Sequence, residues 1–352
     1  MMTLEALIEQ IKPLNAEAMK KAQVHLDDLT KPRGSLGVLE DMAKRLAGIF
    51  GEIPKEPLQK AIILMAGDHG VMEEGVSAFP QEVTPQMVIN FSNGGAGINA
   101  LARHAGADLI CVDVGIAVDM PELPGLIRRK VAYGTKNMTK GPAMTRDEAI
   151  QAILIGAEVV ADAVKRGVRI VGTGEMGIGN TTPSTAIIAA IGQFAVEDVV
   201  GRGTGVNDKQ LQIKIDAIKG ALEVNQPDPA DGLDVLAKVG GLEIAGLVGV
   251  CLGAAAQGIP VVIDGFISGA AAVIAGTICP QARDYMIGSH LSEEPGHKFM
   301  LDYLGLKPML MMNFRLGEGT GAALCMTMID AAVKISNEMA TFSSAGVSES
   351  ID

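Results

Sequence analysis

A-I-I-L-M-A-G-D-H-G, residues 61–70, decides how the chain is read. Six apolar residues run without a polar break, and a glycine and an acid follow. A strand with one solvated face alternates apolar and polar residues, whereas a strand covered on both faces does not. The run is short, rich in branched residues and ends in a turn. It therefore predicts a buried parallel strand. D-L-I-C-V-D-V-G (108–115), V-R-I-V-G-T-G-E (168–175) and P-V-V-I-D-G (260–265) repeat the pattern. D-V-V-G (198–201) and M-L-M-M-N-F (309–314) are candidates for further strands. Between them lie helical patterns at 146–165 and 208–224. The apolar, alanine-rich stretches 241–256 and 266–279 read as buried helices rather than membrane spans. Alternating strands and helices predict an α/β fold: an open, mostly parallel, Rossmann-like sheet flanked by helices, with right-handed crossovers.

The two ends of the chain read differently. Leu4, Leu7, Ile8 and Ile11 recur at helical spacing until Pro13, a second helix runs through 19–29, K-P-R-G-S-L-G (31–37) breaks it, and a third spans 38–50. Residues 322–339 form one more helical pattern. The expected organisation is a small helical domain from 1–55 with 322–352, and a large α/β domain from 56–321.

Composition limits the function. Twenty-nine Lys and Arg against 41 Asp and Glu give a net charge of −12, which argues against nucleic acid and anionic membrane as partners. Glycine supplies 43 of 352 residues, well above the usual ~7%, as suits many backbone-lined turns. Cys111, Cys251, Cys279 and Cys325 are scattered, form no C-x-x-C pair and read as buried reduced thiols. The amphipathic, acidic N-terminus lacks a basic leader, so a cytoplasmic location is expected. His69 has no second histidine at metal-ligand spacing, and H-x₆-H (290–297) lies in a segment read as a loop entering a helix; neither predicts a zinc site.

Ligands of open α/β sheets bind at the carboxyl ends of the strands. Those ends carry Asp68-His69, Asp113, Glu175 and Asp264, predicting several carboxylates around one crevice. G-T-G-E-M-G (172–177) fits G-x-G-x-x-G, the pattern of a nicotinamide-dependent oxidoreductase, but carries Glu175 where a pyrophosphate would approach. Gly177, Gly179, Asn180 and Thr181 stand closer to the next helix and suit one phosphate. G-R-G-T-G (201–205) offers a second such turn through Gly203, Thr204 and Gly205. R-L-G-E-G-T-G-A-A-L (315–324) sets Glu318 among three glycines, a turn able to deliver a carboxylate to a reacting group.

Taken together, K-P-R-G-S-L-G, A-G-D-H-G-V, E-G-V-S-A-F-P-Q-E-V-T, G-E-M-G-I-G-N-T-T, D-G-L-D-V-L-A-K-V-G-G, V-I-D-G-F-I-S-G-A-A and R-L-G-E-G-T-G-A-A-L resemble the nicotinate-nucleotide–dimethylbenzimidazole phosphoribosyltransferase family, in order from about residue 31 to 335. The resemblance implies transfer of the 5-phosphoribosyl group of nicotinate mononucleotide to 5,6-dimethylbenzimidazole or a related base. Inversion at C1′ then gives α-ribazole 5′-phosphate and nicotinate, for the lower ligand of cobalamin. It also implies a homodimer, no cofactor and no metal. Glu318 is carried over as the base for the azole N–H and Glu175 as an acid near the ribose. Lys214 is carried over as a cation at the phosphate, and Asp264 as a further polar contact. Phe79, Met87 and Leu316 are expected to line the base.

Overall fold

The computed structural model describes residues 2–203 and 205–348. Six strands form one sheet: β1 (Lys60–Gly67), β2 (Ala107–Gly115), β3 (Leu126–Arg128), β4 (Ile170–Met176), β5 (Val261–Ile263) and β6 (Met286–Gly288). Their order is β3-β2-β1-β4-β5-β6 and every pairing is parallel. The reason for the unbroken apolar run at 61–66 is now visible. Ala61, Ile63 and Met65 enter one hydrophobic core, while Ile62, Leu64 and Ala66 enter the other. Side chains alternate faces along a strand, and helices cover both faces here.

On the first face the Arg146–Lys165 and Leu242–Ala256 helices lie almost backbone to backbone. A Cβ on Gly156 would fall 2.0 Å from the Gly246 carbonyl oxygen, and one on Gly249 would fall 1.9 Å from that of Ile153. Burial of every residue from Leu242 to Ala255 explains the apolar stretch read at 241–256. Among the described residues no helix is long and apolar enough to cross a membrane. On the second face the Val38–Phe50, Gly97–Ala105 and Thr320–Glu338 helices pack together.

The chain ends meet beside that second layer. The Thr30 N–H donates to the Ala340 carbonyl at 3.0 Å, and His25 Nε2 lies 2.7 Å from the Ser336 carbonyl. The Leu4–Ile8 helix packs instead on the first face, against the Leu242–Ala256 helix. K-P-R-G-S-L-G is held by a buried ion pair, Lys31 Nζ to Glu40 Oε1 at 2.9 Å, whose carboxylate also accepts the Leu36 N–H. All four cysteines are free and buried, and burial pushes the Cys111, Cys251 and Cys325 thiols up to about 12.

Two expected strands are absent. Residues 198–201 overlap the Val196–Val199 helix, whose buried pair Val196 and Val199 is spaced for a helical turn, not for a strand. Residues 309–314 make one isolated bridge, Leu310 to His290, and Met311 and Met312 are exposed. Conversely, β3 (L-I-R) and β6 (M-I-G) were not anticipated: both are as short as β5 but, unlike its V-V-I, carry only one β-branched residue each.

The glycine contacts give a paired test. Gly249→Ala is expected to lose about 2–3 kcal/mol of stability, because backbone must move to admit the methyl. Gly220→Ala, on the Asp208–Asn225 helix with open space at its Cβ, is expected to be neutral or to gain up to about 1 kcal/mol. Denaturant unfolding of both variants checks this, and equal midpoints would contradict it.

Candidate active site

Strand order reverses between β1 and β4, and a crevice opens beyond their carboxyl ends. Loops following β4, β5 and β6, with the turn at 315–318, enclose a cavity of about 280 Å³ there. Glu175, Gly177, Gly179, Asn180, Thr181, Gly203, Asp264, Phe79, Met87, Leu316 and Glu318 all line it. Gly205 and Lys214 do not line it, and Thr204 lies outside the described residues.

Glu318 sits on an unusual turn. Gly317, Glu318 and Gly319 have φ of 81°, 62° and 94°, three successive left-handed residues. For the glutamate that conformation costs roughly 1–2 kcal/mol, so the surroundings must hold it. Asp264 does most of this. Its Oδ2 accepts the Gly319 N–H at 3.1 Å and its Oδ1 the Ala322 N–H at 3.0 Å, capping the Thr320–Glu338 helix. Glu175 Oε1 accepts the Glu318 N–H at 3.3 Å, and the Thr320 hydroxyl donates to the Gly317 carbonyl at 2.8 Å.

The Glu318 side chain is 6% exposed. Its Oε2 accepts the Ile98 N–H at 3.1 Å, in the first turn of the Gly97–Ala105 helix. Oε1 has no hydrogen-bond partner among the described residues and is left for the cavity. Burial raises the Glu318 pKa, and the Ile98 N–H partly offsets this. The carboxylate thus has one oxygen tied to backbone and one without a hydrogen-bond partner among the described residues.

G-T-G-E-M-G is not a turn after a strand, since residues 172–176 belong to β4 itself. Its glycines serve packing. A Cβ on Gly172 would strike Ile62 at 2.6 Å, and one on Gly174 would meet the Glu318 carbonyl oxygen at 2.6 Å. Smooth strand surface is what lets the Glu318 turn lie on β4. A Cβ on Gly317 would lie 2.2 Å from Glu175 Oε1, so the two glutamates approach closely only because that position is glycine.

Glu175 is buried and receives the Asn180 amide at 2.5 Å. Burial drives its pKa up to about 8, against the Asn180 bond and with help from the charges of Asp264 and Glu243. Asp264, also buried, rises to about 7 despite its backbone donors. Of the four acids at strand ends, these two line the cavity. Asp113 instead pairs with Lys130 at 3.0 Å, and Asp68 accepts the Ala117 N–H at 2.8 Å. His69 bonds Glu243 at 2.8 Å behind Gly177, so this pair supports the floor.

At the other end of the cavity, Thr181 Oγ1 accepts Lys214 Nζ at 2.6 Å, and Lys214 also donates to the Gly201 carbonyl at 3.2 Å. Burial lowers the Lys214 pKa to about 8, with Glu294 opposing. Lys214 therefore reaches the cavity through Thr181 and the 201–203 loop. Phe79 and Leu316 are 48% and 61% exposed and form the rim.

Sequence reasoning missed Ser268, His290, Ser292, Glu294 and Arg315, all of which line the same cavity. Most belong to the segment after β6, whose three residues gave no strand signal to mark a strand end. His290 and His297 are pushed down by burial to about 4 and about 3, so both imidazoles are neutral.

Comparison with known proteins bears on this geometry. A family model described as Phosphoribosyltransferase matches residues 11–347. The nicotinate-nucleotide–dimethylbenzimidazole phosphoribosyltransferase of Desulforamulus reducens is 56% identical over 350 residues, covering 99% of this chain and 100% of its own. The protein of that name from Geotalea uraniireducens is 57% identical, covering 98% of each chain. The crystal structure of the Thermus thermophilus protein with the same function in its description superposes with a TM-score of 0.91 at 43% identity. The match covers 96% of this chain and 100% of that one.

The pKa of Glu175 gives a prediction whose sign is fixed. Its folded value, about 8, exceeds the ordinary 4.5, so the folded protein holds this proton more tightly than the unfolded chain. The resulting stability is full below pH 4.5 and is lost as pH rises through about 8. Between about pH 5 and 8 the wild type should lose stability relative to Glu175→Gln, by up to about 1.4 kcal/mol per pH unit. Parallel stability–pH curves for the two proteins would refute this.

Proposed function

The chain belongs to the nicotinate-nucleotide–dimethylbenzimidazole phosphoribosyltransferase family, and from that premise we propose how its cavity performs the transfer. Nicotinate mononucleotide donates its 5-phosphoribosyl group to dimethylbenzimidazole or a related base, and Glu318 is the general base. One azole nitrogen attacks C1′. The C1′–pyridinium bond breaks, and its electron pair returns to the nicotinate ring nitrogen. The other azole nitrogen loses its proton to Glu318 Oε1. Attack opposite the leaving group inverts C1′, giving α-ribazole 5′-phosphate and nicotinate. The leaving nitrogen departs neutral, so the step calls for neither an acid nor a metal at that end.

The observation that carries this reading is the Glu318 carboxylate itself. One oxygen is tied to the Ile98 amide and the other has no partner among the described residues. A base so held can meet an N–H in the plane of a flat ring. Its raised pKa strengthens it as a proton acceptor. Glu175 lies next to it through the Glu318 N–H. Being protonated at neutral pH favours a role in ordering a ribose hydroxyl, and the cationic nucleotide would draw it toward its ionised form. The phosphate belongs at the Lys214 end, on the 177–181 and 203–205 turns. Phe79, Met87 and Leu316 would border the base.

The same proposal includes a homodimer and a cytoplasmic setting. Exposed Phe79 and Leu316 at the rim, and exposed Met311 and Met312 on the segment leading to Leu316, support the first. Four free cysteines support a reducing compartment. The bonds from Thr30 to Ala340 and from His25 to Ser336 support a helical unit built from 1–55 and 322–352.

Glu318→Gln is expected to lower kcat by roughly 10²–10⁴-fold while nicotinate mononucleotide still binds. Nicotinate release with dimethylbenzimidazole, chelator present, measures this. A near-normal rate would remove Glu318 from its role.

A further inference from the structure

Glu294 is an acid standing where an anion is expected. It is 8% exposed, lines the cavity, and accepts the Gly203 N–H through Oε1 at 2.8 Å. Its Oε2 is buried and has no hydrogen-bond partner among the described residues. The loop approaches that oxygen so closely that a Cβ on Gly201 would lie 1.8 Å from it. The cations nearby are engaged elsewhere. Lys214 is held by Thr181 and the Gly201 carbonyl, Arg202 by Asp208, and Arg315 reaches the Gly203 carbonyl at 3.5 Å. No ion pair joins Glu294 to any of them among the described residues. His290 and His297, on the same segment, are neutral.

A carboxylate with a free buried oxygen beside a bound phosphate would set two anions against each other. A neutral carboxyl would remove that repulsion while Oε1 keeps the Gly203 amide. We propose that Glu294 stands beside the phosphate monoester of the bound nucleotide as the neutral acid, taking one proton from solvent as the nucleotide binds. The proposal rests on the phosphate lying at the Lys214 end of the cavity. Burial already raises the Glu294 pKa, opposed by Lys214, the Gly203 N–H and Arg315, and an arriving phosphate would add to the rise. Selection for a phosphate monoester then includes a proton as well as cations.

Titration calorimetry of the full chain with nicotinate mononucleotide, in buffers of different ionisation enthalpy from about pH 6.5 to 8.5, tests this. The phosphate's own second ionisation contributes in wild type and variant alike, but Lys214 feels the Glu294 charge, so the comparison is repeated in a Lys214→Met background, where the difference reports Glu294 alone. Wild type should take up more protons than Glu294→Gln, whose amide does not titrate. Its affinity should therefore fall more steeply with pH, by up to about tenfold more per pH unit. Nicotinate riboside, which lacks the phosphate, should bind wild type without this extra uptake. Equal uptake by wild type and Glu294→Gln would overturn the proposal. So would equal uptake for mononucleotide and riboside in wild type alone, a result independent of how the variant folds. Failure of wild type to bind the mononucleotide at all is a different outcome, and it would overturn the underlying site reading too.

Discussion

Both oxygens of Asp264 end on backbone amides of the segment that follows Glu318, and the site depends on that arrangement. Three successive left-handed residues do not persist unaided. Asp264 fixes the far side of the turn, Glu175 accepts the amide at its centre, and Ile98 takes one oxygen of the delivered carboxylate. The turn then presses on β4, where Gly174 leaves room for it. Conformational strain, sheet packing and the aim of one carboxylate oxygen are thus a single constraint. A change to any of them shifts the others.

Burial governs the charge states of this cavity. It raises Glu175, Asp264, Glu294 and Glu318 and lowers Lys214, His290 and His297. A chain with a net charge of −12 could not readily hold an anionic nucleotide if every buried acid were ionised. Glu175, neutral below about pH 8, removes part of that repulsion. At the Lys214 end a cation is shared with Thr181 and a backbone carbonyl rather than committed to a carboxylate. Under the proposed reading, one end of the cavity takes the negative charge and the other removes a proton from a ring.

Much of this was legible in the sequence. The run at 61–66 predicted a strand buried on both faces, and the two cores that take its alternate residues explain why. Strand-end position pointed to Glu175 and Asp264, and the glycine spacing singled out Glu318. What the sequence hid has physical causes. β6 is three residues with a single β-branched one, so the segment carrying Ser292 and Glu294 was not seen to follow a strand. The valines at 199 and 200 suggested a strand, but a pair one turn apart was buried by a helix. Asp113 looked like a site acid until Lys130 was found beside it, a partner set by tertiary structure alone. Glu175 told against G-x-G-x-x-G as a pyrophosphate turn, but a pattern of glycines does not say whether they admit a ligand or a neighbouring turn, so the place of Gly172 and Gly174 inside β4 was not foreseen.

The state of the cysteines has a practical consequence. Thiolate is the species that alkylating probes attack, and three of the four thiols are held near pKa 12 while all four are shielded. The native fold is thereby almost silent toward maleimide chemistry. A cysteine installed in place of exposed Leu316 would give a spectroscopic label one dominant address, at the mouth of the cavity, without first stripping the natural sulfur from the interior.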